Sequence, residues 1–326
     1  MIRIAMIGCG AFARLYHLPA ILNNPAVDLI GIFDPQPAQE TRDLAKTQTV
    51  PLTADLPDLF ESGNPDAVVV TTPHALHASH VEAALHAGCA VLCDKPFVLA
   101  SSDAETLARL AQSRNLTNAV AYNRRFDPGH IRAQAIIAEG MMGDIAYVET
   151  VQLGYPTGGW YVDPKLAGGG AFQGRASHMA DIVPWVLGVD PKQVRARLVE
   201  SSDPSRSDLG GRIELVFDGF DAHLTCLERG LGLWDELRIF GTSGALELRR
   251  PLTQPLGWQL KHTNEAGDLV EELEGDQAVG RATEDFIAAV LSGASPACSF
   301  ADAAQAVKIV ELAYQSARQG EPWLTL

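Results

Sequence analysis

The residues best suited to moving a proton are His178 and Lys95. His178 lies in the run Gly168-Gly-Gly170-Ala-Phe-Gln-Gly174-Arg175-Ala-Ser-His178-Met-Ala-Asp181, and Lys95 in Cys93-Asp94-Lys95-Pro96. A neutral imidazole with an ordinary pKa of about 6.5 accepts a hydroxyl proton near neutrality. A lysine at its ordinary pKa of about 10.4 is a poor base there, so two roles are open to Lys95. It is either a base with a lowered pKa or a cationic hydrogen-bond donor to a substrate oxygen. Lys95 closes an apolar strand, and Pro96 biases it towards extended backbone, which aims its side chain out of the sheet end.

Oxidising a carbinol also needs a hydride acceptor, and the first thirteen residues offer a place for one. The apolar strand Ile2 to Ile7 runs into Gly8-x-Gly10-x-x-Ala13. Gly8 permits the tight turn, Gly10 lets backbone approach a pyrophosphate, and Ala13 lets the helix pack on the strand. The amide groups of Ala11 and Phe12 at the helix start then meet negative charge. Val27 to Phe33 reads as a second strand, ending at Asp34, roughly twenty residues beyond the glycines, where an acid accepts both ribose hydroxyls. Asp34 repels a 2′-phosphate, and Pro35, Gln36 and Pro37 bring no arginine to hold one. NAD is therefore favoured over NADP.

The elements that must position these residues alternate up to about Tyr122. Strands at 66–71, 90–93 and 117–121 follow the first two, with helices at 11–22, 38–47, 80–87 and 102–114, a pattern that predicts a parallel sheet covered on both faces. After Tyr122 a helix at 128–139 precedes alternating strands at 145–154, 194–200, 212–217, 222–228, 236–240 and 245–248. Asp218-Gly219 joins two of them as a hairpin. The expected fold class is α/β: an N-terminal Rossmann doubly wound parallel sheet over 1–122, and a C-terminal α+β domain with a large, mostly antiparallel sheet over 123–326. The last helix, about 300–319, is a candidate to pack back on the first domain, and a cleft between the domains is the expected site.

Taken in order, the glycine turn, Thr71-Thr72-Pro73-His74-Ala-Leu-His77, Asp94-Lys95-Pro96, Tyr122-Asn-Arg124-Arg125-Phe-Asp127 and the His178 run resemble the glucose-fructose oxidoreductase/inositol dehydrogenase (Gfo/Idh/MocA) family over nearly the whole chain. The resemblance implies a nicotinamide cofactor and a sugar, polyol or cyclitol substrate. Lys95 matches the lysine of the family's E-K-P motif, with Asp94 for the usual glutamate. His178 matches its catalytic histidine, Asp181 the acid that follows, and His77 a histidine near the cofactor. Thr72, Pro73, His77, Asp94, Lys95 and Arg124 join Gly8, Gly10, Ala11, Phe12, Ala13 and Asp34 as expected cofactor contacts. Lys95, Tyr161, Arg175, His178 and Asp181 are the expected substrate contacts.

One departure stands out: the family's aspartate four residues before the histidine is Gly174 here. Three readings stay open. His178 acts alone or with Lys95; Asp163 or Asp181 substitutes for the missing acid; or the dehydrogenase activity is altered. The third keeps alive a redox-neutral NAD-dependent glycosidase or epimerase. A non-catalytic dinucleotide and sugar sensor is the other alternative, disfavoured by the presence of both Lys95 and His178.

Composition narrows the partners. The 326 residues carry a formal net charge of −15 with scattered basic residues, which disfavours nucleic acid and anionic membrane. No apolar run reaches membrane-spanning length and no signal peptide is evident, so a cytoplasmic protein is expected. Five cysteines without paired spacing read as buried thiols. His74, His77 and His80 share a spacing of three, but no metal site is expected, since thiolate or carboxylate ligands are missing from the pattern. His17 reads as a packing or capping residue, with a minor cofactor or substrate role left open by its closeness to the glycine turn. Trp160 and Tyr161 are open to sugar stacking or to core packing, and Arg175 to recognition of an acidic sugar or to plain surface exposure. A homodimer or homotetramer is expected through the second domain's sheet.

Overall fold

Apolar runs rich in valine and isoleucine, each bounded by a turn, have both faces to bury and so pair as a parallel sheet under helices. In the computed structural model, which describes residues 1–155, 158–203, 206–228, 232–250, 257–275 and 278–326, they do so in the first of two units. That unit comprises Met1–Asn123 and Val279–Ala304. Its strands are β1 (Ile2–Ile7), β2 (Val27–Phe33), β3 (Leu52–Thr53), β4 (Ala67–Val70), β5 (Ala90–Cys93) and β6 (Asn118–Val120), in spatial order β3-β2-β1-β4-β5-β6 and all parallel. The order reverses between β1 and β4, and a crevice opens beyond the carboxyl ends at such a point.

The helix expected at 11–22 is present, but its stretch Ala13–His17 is wound as a π-helix before the α-helix Leu18–Leu22. The helices Gln39–Gln48, His77–His86 and Ser101–Ser113 lie within a few residues of expectation, and Leu56–Gly63 is an additional one. A late segment completes this unit. The helix Ala278–Ser292 places Thr283 against buried His17, and Phe300 stacks on Phe97 with ring centroids 4.2 Å apart. Cys298 and Phe300 exchange backbone and side-chain hydrogen bonds with Val120 and Asn118.

The second unit comprises Arg124–Ala278 and Gln305–Leu326. Its strands are β7 (Ile145–Leu153), β8 (Gln193–Glu200), β9 (Asp208–Val216), β10 (Asp221–Leu227), β11 (Trp234–Gly241), β12 (Gly244–Arg250), β13 (Gly257–Asn264), β14 (Gly267–Glu274) and β15 (Leu324–Thr325). They form one sheet in the order β14-β13-β12-β11-β7-β10-β9-β8-β15, antiparallel throughout except for β10 against β7. The Asp218-Gly219 turn joins β9 to β10 as a hairpin. Alternation sets the faces. Val148, Ile213, Leu215, Ala222, Leu224, Leu237, Ile239, Leu246 and Leu260 are buried, and the helices Pro128–Ala138 and Ala171–Leu187 pack on the sheet. The other face carries ion pairs between neighbouring strands, Arg195 with Glu214 and Arg238 with Glu149.

The β13–β14 hairpin falls outside the sequence expectation. The outer strand β14 is charged and largely exposed, as an edge that must not recruit another chain has to be, and it lacks the alternation that marks a half-buried strand. The final helix, Phe300–Arg318, contributes its start to the first unit and its remainder, from Gln305, to the second. All five cysteines are buried thiols, and among the described residues no helix is long and apolar enough to cross a membrane. Replacing the fully buried Phe300 by alanine is expected to cost about 3–5 kcal/mol. Urea denaturation with the same midpoint as wild type would show that the late segment is no part of the first unit's core.

Candidate active site

At the carboxyl end of β1 the chain turns through Gly8, whose φ of +86° suits glycine; a Cβ there would come within 2.8 Å of the Thr72 methyl. Thr71 locks the turn by donating from its hydroxyl to the Gly8 carbonyl at 2.7 Å. Gly10 is different: a Cβ built on it meets no described residue within 4 Å. Space beside the helix start is therefore left for something that is not protein, and a pyrophosphate approaching the free helix amides fits it. Asp34, at the end of β2, leans over the turn. Its carboxylate accepts from the Cys9 amide at 3.1 Å and from the Gln36 amide at 3.0 Å, with lone pairs remaining for the two hydroxyls of a ribose.

The ends of β4 and β5 complete this edge. Thr72 and Pro73 follow β4, and the Thr72 hydroxyl shares a 3.0 Å hydrogen bond with His80, whose pKa burial lowers to about 4. His77 is buried behind them. One ring nitrogen lies 2.8 Å from the Pro96 carbonyl and the other 2.8 Å from the Thr72 carbonyl, so the ring clasps the β4 turn to the β5 turn. Among the described residues no cluster of three or more His, Cys, Asp or Glu is placed to hold a metal. Asp94 accepts from the Lys95 amide at 2.8 Å, and Lys95 stands half-buried at the sheet end, joined to Pro96 by a cis peptide bond. His17 is fully buried, with Nδ1 2.9 Å from the Thr283 hydroxyl; burial lowers its pKa and the nearby Asp94 carboxylate works against that.

In the second unit the helix Ala171–Leu187 carries Gly174, Arg175, His178 and Asp181. Spacings of three and four place them along one side. A side chain from another strand holds the helix start: Asp208 accepts from the Gly170 amide at 2.9 Å, from the Phe172 amide at 2.7 Å and from the Tyr314 hydroxyl at 2.8 Å. Glycine is needed for this approach. A Cβ on Gly169 would run into the Tyr314 hydroxyl and one on Gly170 into the Asp208 backbone. The triple glycine is thus a close-packed entry to the helix.

Asp181 lies beneath Arg125, which grips both its oxygens, one of them at 2.6 Å; the pair is buried. Arg124, expected at the cofactor, has its guanidinium occupied by a bidentate pair with Asp235. Asp163 caps the short helix Pro164–Ala167 through the Lys165 amide at 2.9 Å. Both acids that could replace one at position 174 thus already serve other partners. At Gly174 a Cβ would meet no described residue within 4 Å. Tyr161 stacks on Trp160, centroids 3.8 Å apart, forming a ready-made aromatic pair.

The description "oxidoreductase family, NAD-binding Rossmann fold" matches residues 2–122, and that of the GFO/IDH/MocA C-terminal domain matches residues 130–247. The chain belongs to the Gfo/Idh/MocA oxidoreductase family. Among Gfo/Idh/MocA relatives, the uncharacterized oxidoreductase YdgJ of Escherichia coli is 35% identical over 149 residues, covering 46% of this chain and 42% of that protein. Inositol 2-dehydrogenase of Rhizobium meliloti is 25% identical over 323 residues, covering 97% of this chain and 96% of that one. The match thus spans about half the length or less of some relatives and nearly all of others. Aldose-aldose oxidoreductase from Caulobacter crescentus, whose crystal structure contains glycerol, shares the fold with a TM-score of 0.87 at 20% identity, covering 100% of this chain and 99% of that one.

Sequence reasoning missed Asp208, because its partners at 170 and 172 lie far away in the chain and nothing beside it marks a cap. Changing Asp208 to alanine would strand the Gly170, Phe172 and Gly210 amides and the Tyr314 hydroxyl, and is expected to cost about 2–4 kcal/mol. Calorimetric unfolding should show a lowered midpoint, whereas an unchanged one would mean that the helix start is held by other groups.

Proposed function

We propose that this protein is an NAD-dependent dehydrogenase acting on a hydroxyl of a sugar, polyol or cyclitol. The observation that carries the reading is the Gly8–Gly10 turn with Asp34 over it: a backbone cradle with room at Gly10, and a carboxylate that suits a ribose diol and repels a 2′-phosphate. When bound, nicotinamide supplies the hydride acceptor. The chain's own part is to hold the cofactor and to handle the proton.

Gly8, Gly10, Ala11, Phe12 and Ala13 form the pyrophosphate turn, and Asp34 takes the adenosine ribose. Thr72, Pro73 and Asp94 line the ends of β4 and β5, while His77 braces the two turns from behind. His178 takes the hydroxyl proton on Nε2, since its Nδ1 is buried. Lys95 donates to the substrate oxygen as a cation, which favours the developing alkoxide. Trp160 and Tyr161 offer a face for a sugar ring, and the Asp181–Arg125 pair fixes the helix that presents His178. Arg124 and Asp163 are structural in this scheme.

The first test mixes the protein with NAD, and in parallel NADP, across aldoses, polyols, inositols and sugar acids, following reduced-nicotinamide absorbance. Turnover with NAD in preference to NADP is expected, and His178→Ala should lower kcat about 10²–10⁴-fold while cofactor affinity stays within a few-fold. Near-full turnover by that variant would remove His178 as principal base. NAD binding with no turnover anywhere would favour the redox-neutral enzyme or the sensor.

We assign self-association to the second unit's other sheet face. There Tyr147 and the half-exposed Phe240 stand among the ion pairs, and a cavity of about 560 Å³ opens beside Tyr147, Phe217, Phe220 and His223. Sedimentation equilibrium should give a dimer or tetramer that Tyr147→Glu and Phe240→Glu together dissociate; a monomeric wild type refutes the assignment.

A further inference from the structure

Arg175 has no carboxylate of its own. The other arginines near it are matched: Arg124 with Asp235, Arg125 with Asp181 and Arg206 with Glu228. Among the described residues no acid stands within ion-pair distance of the Arg175 guanidinium, whose hydrogen bond is to the Tyr155 carbonyl at 3.2 Å. Burial lowers its pKa below the ordinary arginine value; Glu228 and Asp235 attract it from a distance and Arg124 repels it. Cys226, another nearby acid, offers no counter-charge, because burial pushes its thiol up to about 12.

The fold makes room for this cation. The guanidinium lies against Gly154, just past β7, where any Cβ would overlap it. On its own helix, no described residue comes within 4 Å of where a Cβ on Gly174 would stand. At 100° per residue, His178 falls between Gly174 and Arg175 around the helix, within one turn of both. Around the helix the histidine's position is thus flanked by one that leaves open space among the described residues and by one that bears a half-buried cation, and an anionic group reaching that cation would relieve the charge with paired, charge-assisted hydrogen bonds.

We infer that the substrate oxidised at His178 is a sugar acid, an aldonate or uronate, and that Arg175 selects it by binding the carboxylate. The assignment rests on the dehydrogenase reading. In that reaction the carbinol C–H pair leaves as hydride to the bound NAD, the O–H proton passes to His178, and the carbinol becomes a ketone. The carboxylate is unchanged throughout.

The test compares kcat/KM with NAD for hexuronates and aldonates against their neutral aldoses, with D-glucuronate methyl ester and glucose 6-phosphate alongside. Wild type should favour the carboxylates over their neutral counterparts by about 30–100-fold, and Arg175→Gln should collapse that ratio, with Arg175→Lys between them. Equal rates for acid and neutral sugar, a ratio untouched in Arg175→Gln, or a preference for the phosphate would each overturn the assignment. If no sugar reduces NAD, titration calorimetry of D-glucuronate into the NAD-saturated protein separates the two ideas. Binding by wild type that Arg175→Gln abolishes, with the variant's melting temperature unchanged, keeps the carboxylate site and discards the dehydrogenase. No binding by wild type discards the site.

Discussion

Asp208 is the group on which the helix Ala171–Leu187 of the second unit depends. A helix start leaves amides without partners and carries partial positive charge, and a carboxylate answers both needs. Asp208 brings that carboxylate from β9 and, with the same oxygens, takes the Gly210 amide and the Tyr314 hydroxyl. It therefore joins the sheet, the triple glycine and the final helix at one point. Further along the helix the Arg125–Asp181 pair is a second buried attachment, and buried pairs of this kind resist loss of either member. Arg175 and His178 sit between the two, on a stretch of helix held at both ends.

The first unit solves a related problem with backbone instead of charge. Its glycine turn is held by Thr71 and by hydrogen bonds from Arg14 and Thr41 to the Cys9 carbonyl. His77 fastens the β4 and β5 turns to one another. A neutral imidazole has a single N–H to donate, whereas both of its nitrogens here face carbonyl oxygens. The ring is thus occupied on both sides, and from its place behind the turns it braces them against one another.

What could be read in the sequence was whatever is local. Ile2–Ile7, Val27–Phe33 and Ala90–Cys93 match their expected strands, because short apolar runs ended by turn residues need no distant information. The place of Asp34 directly after β2 was legible for the same reason. The helix Ala278–Ser292 was missed although Ala278, Ala282, Phe286 and Ala289 repeat at helical spacing and are buried. The parallel pairing of β10 with β7 could not be read, since alternation fixes a strand's faces and says nothing about its neighbour. Arg124 and Arg125 form pairs with residues 111 and 56 positions away, and His17 meets Thr283 across 266 positions, so their partners leave no mark beside them.

That last separation bears on how the protein is made. The parallel sheet is complete by residue 120, yet its covering includes residues 279–304, so a ribosome must deliver most of the chain before His17 and Phe97 find their partners. Until then Phe97 lacks the ring that covers it, a condition that invites chaperones. Maturation of the nucleotide-binding half is thereby postponed until the other half has been synthesised.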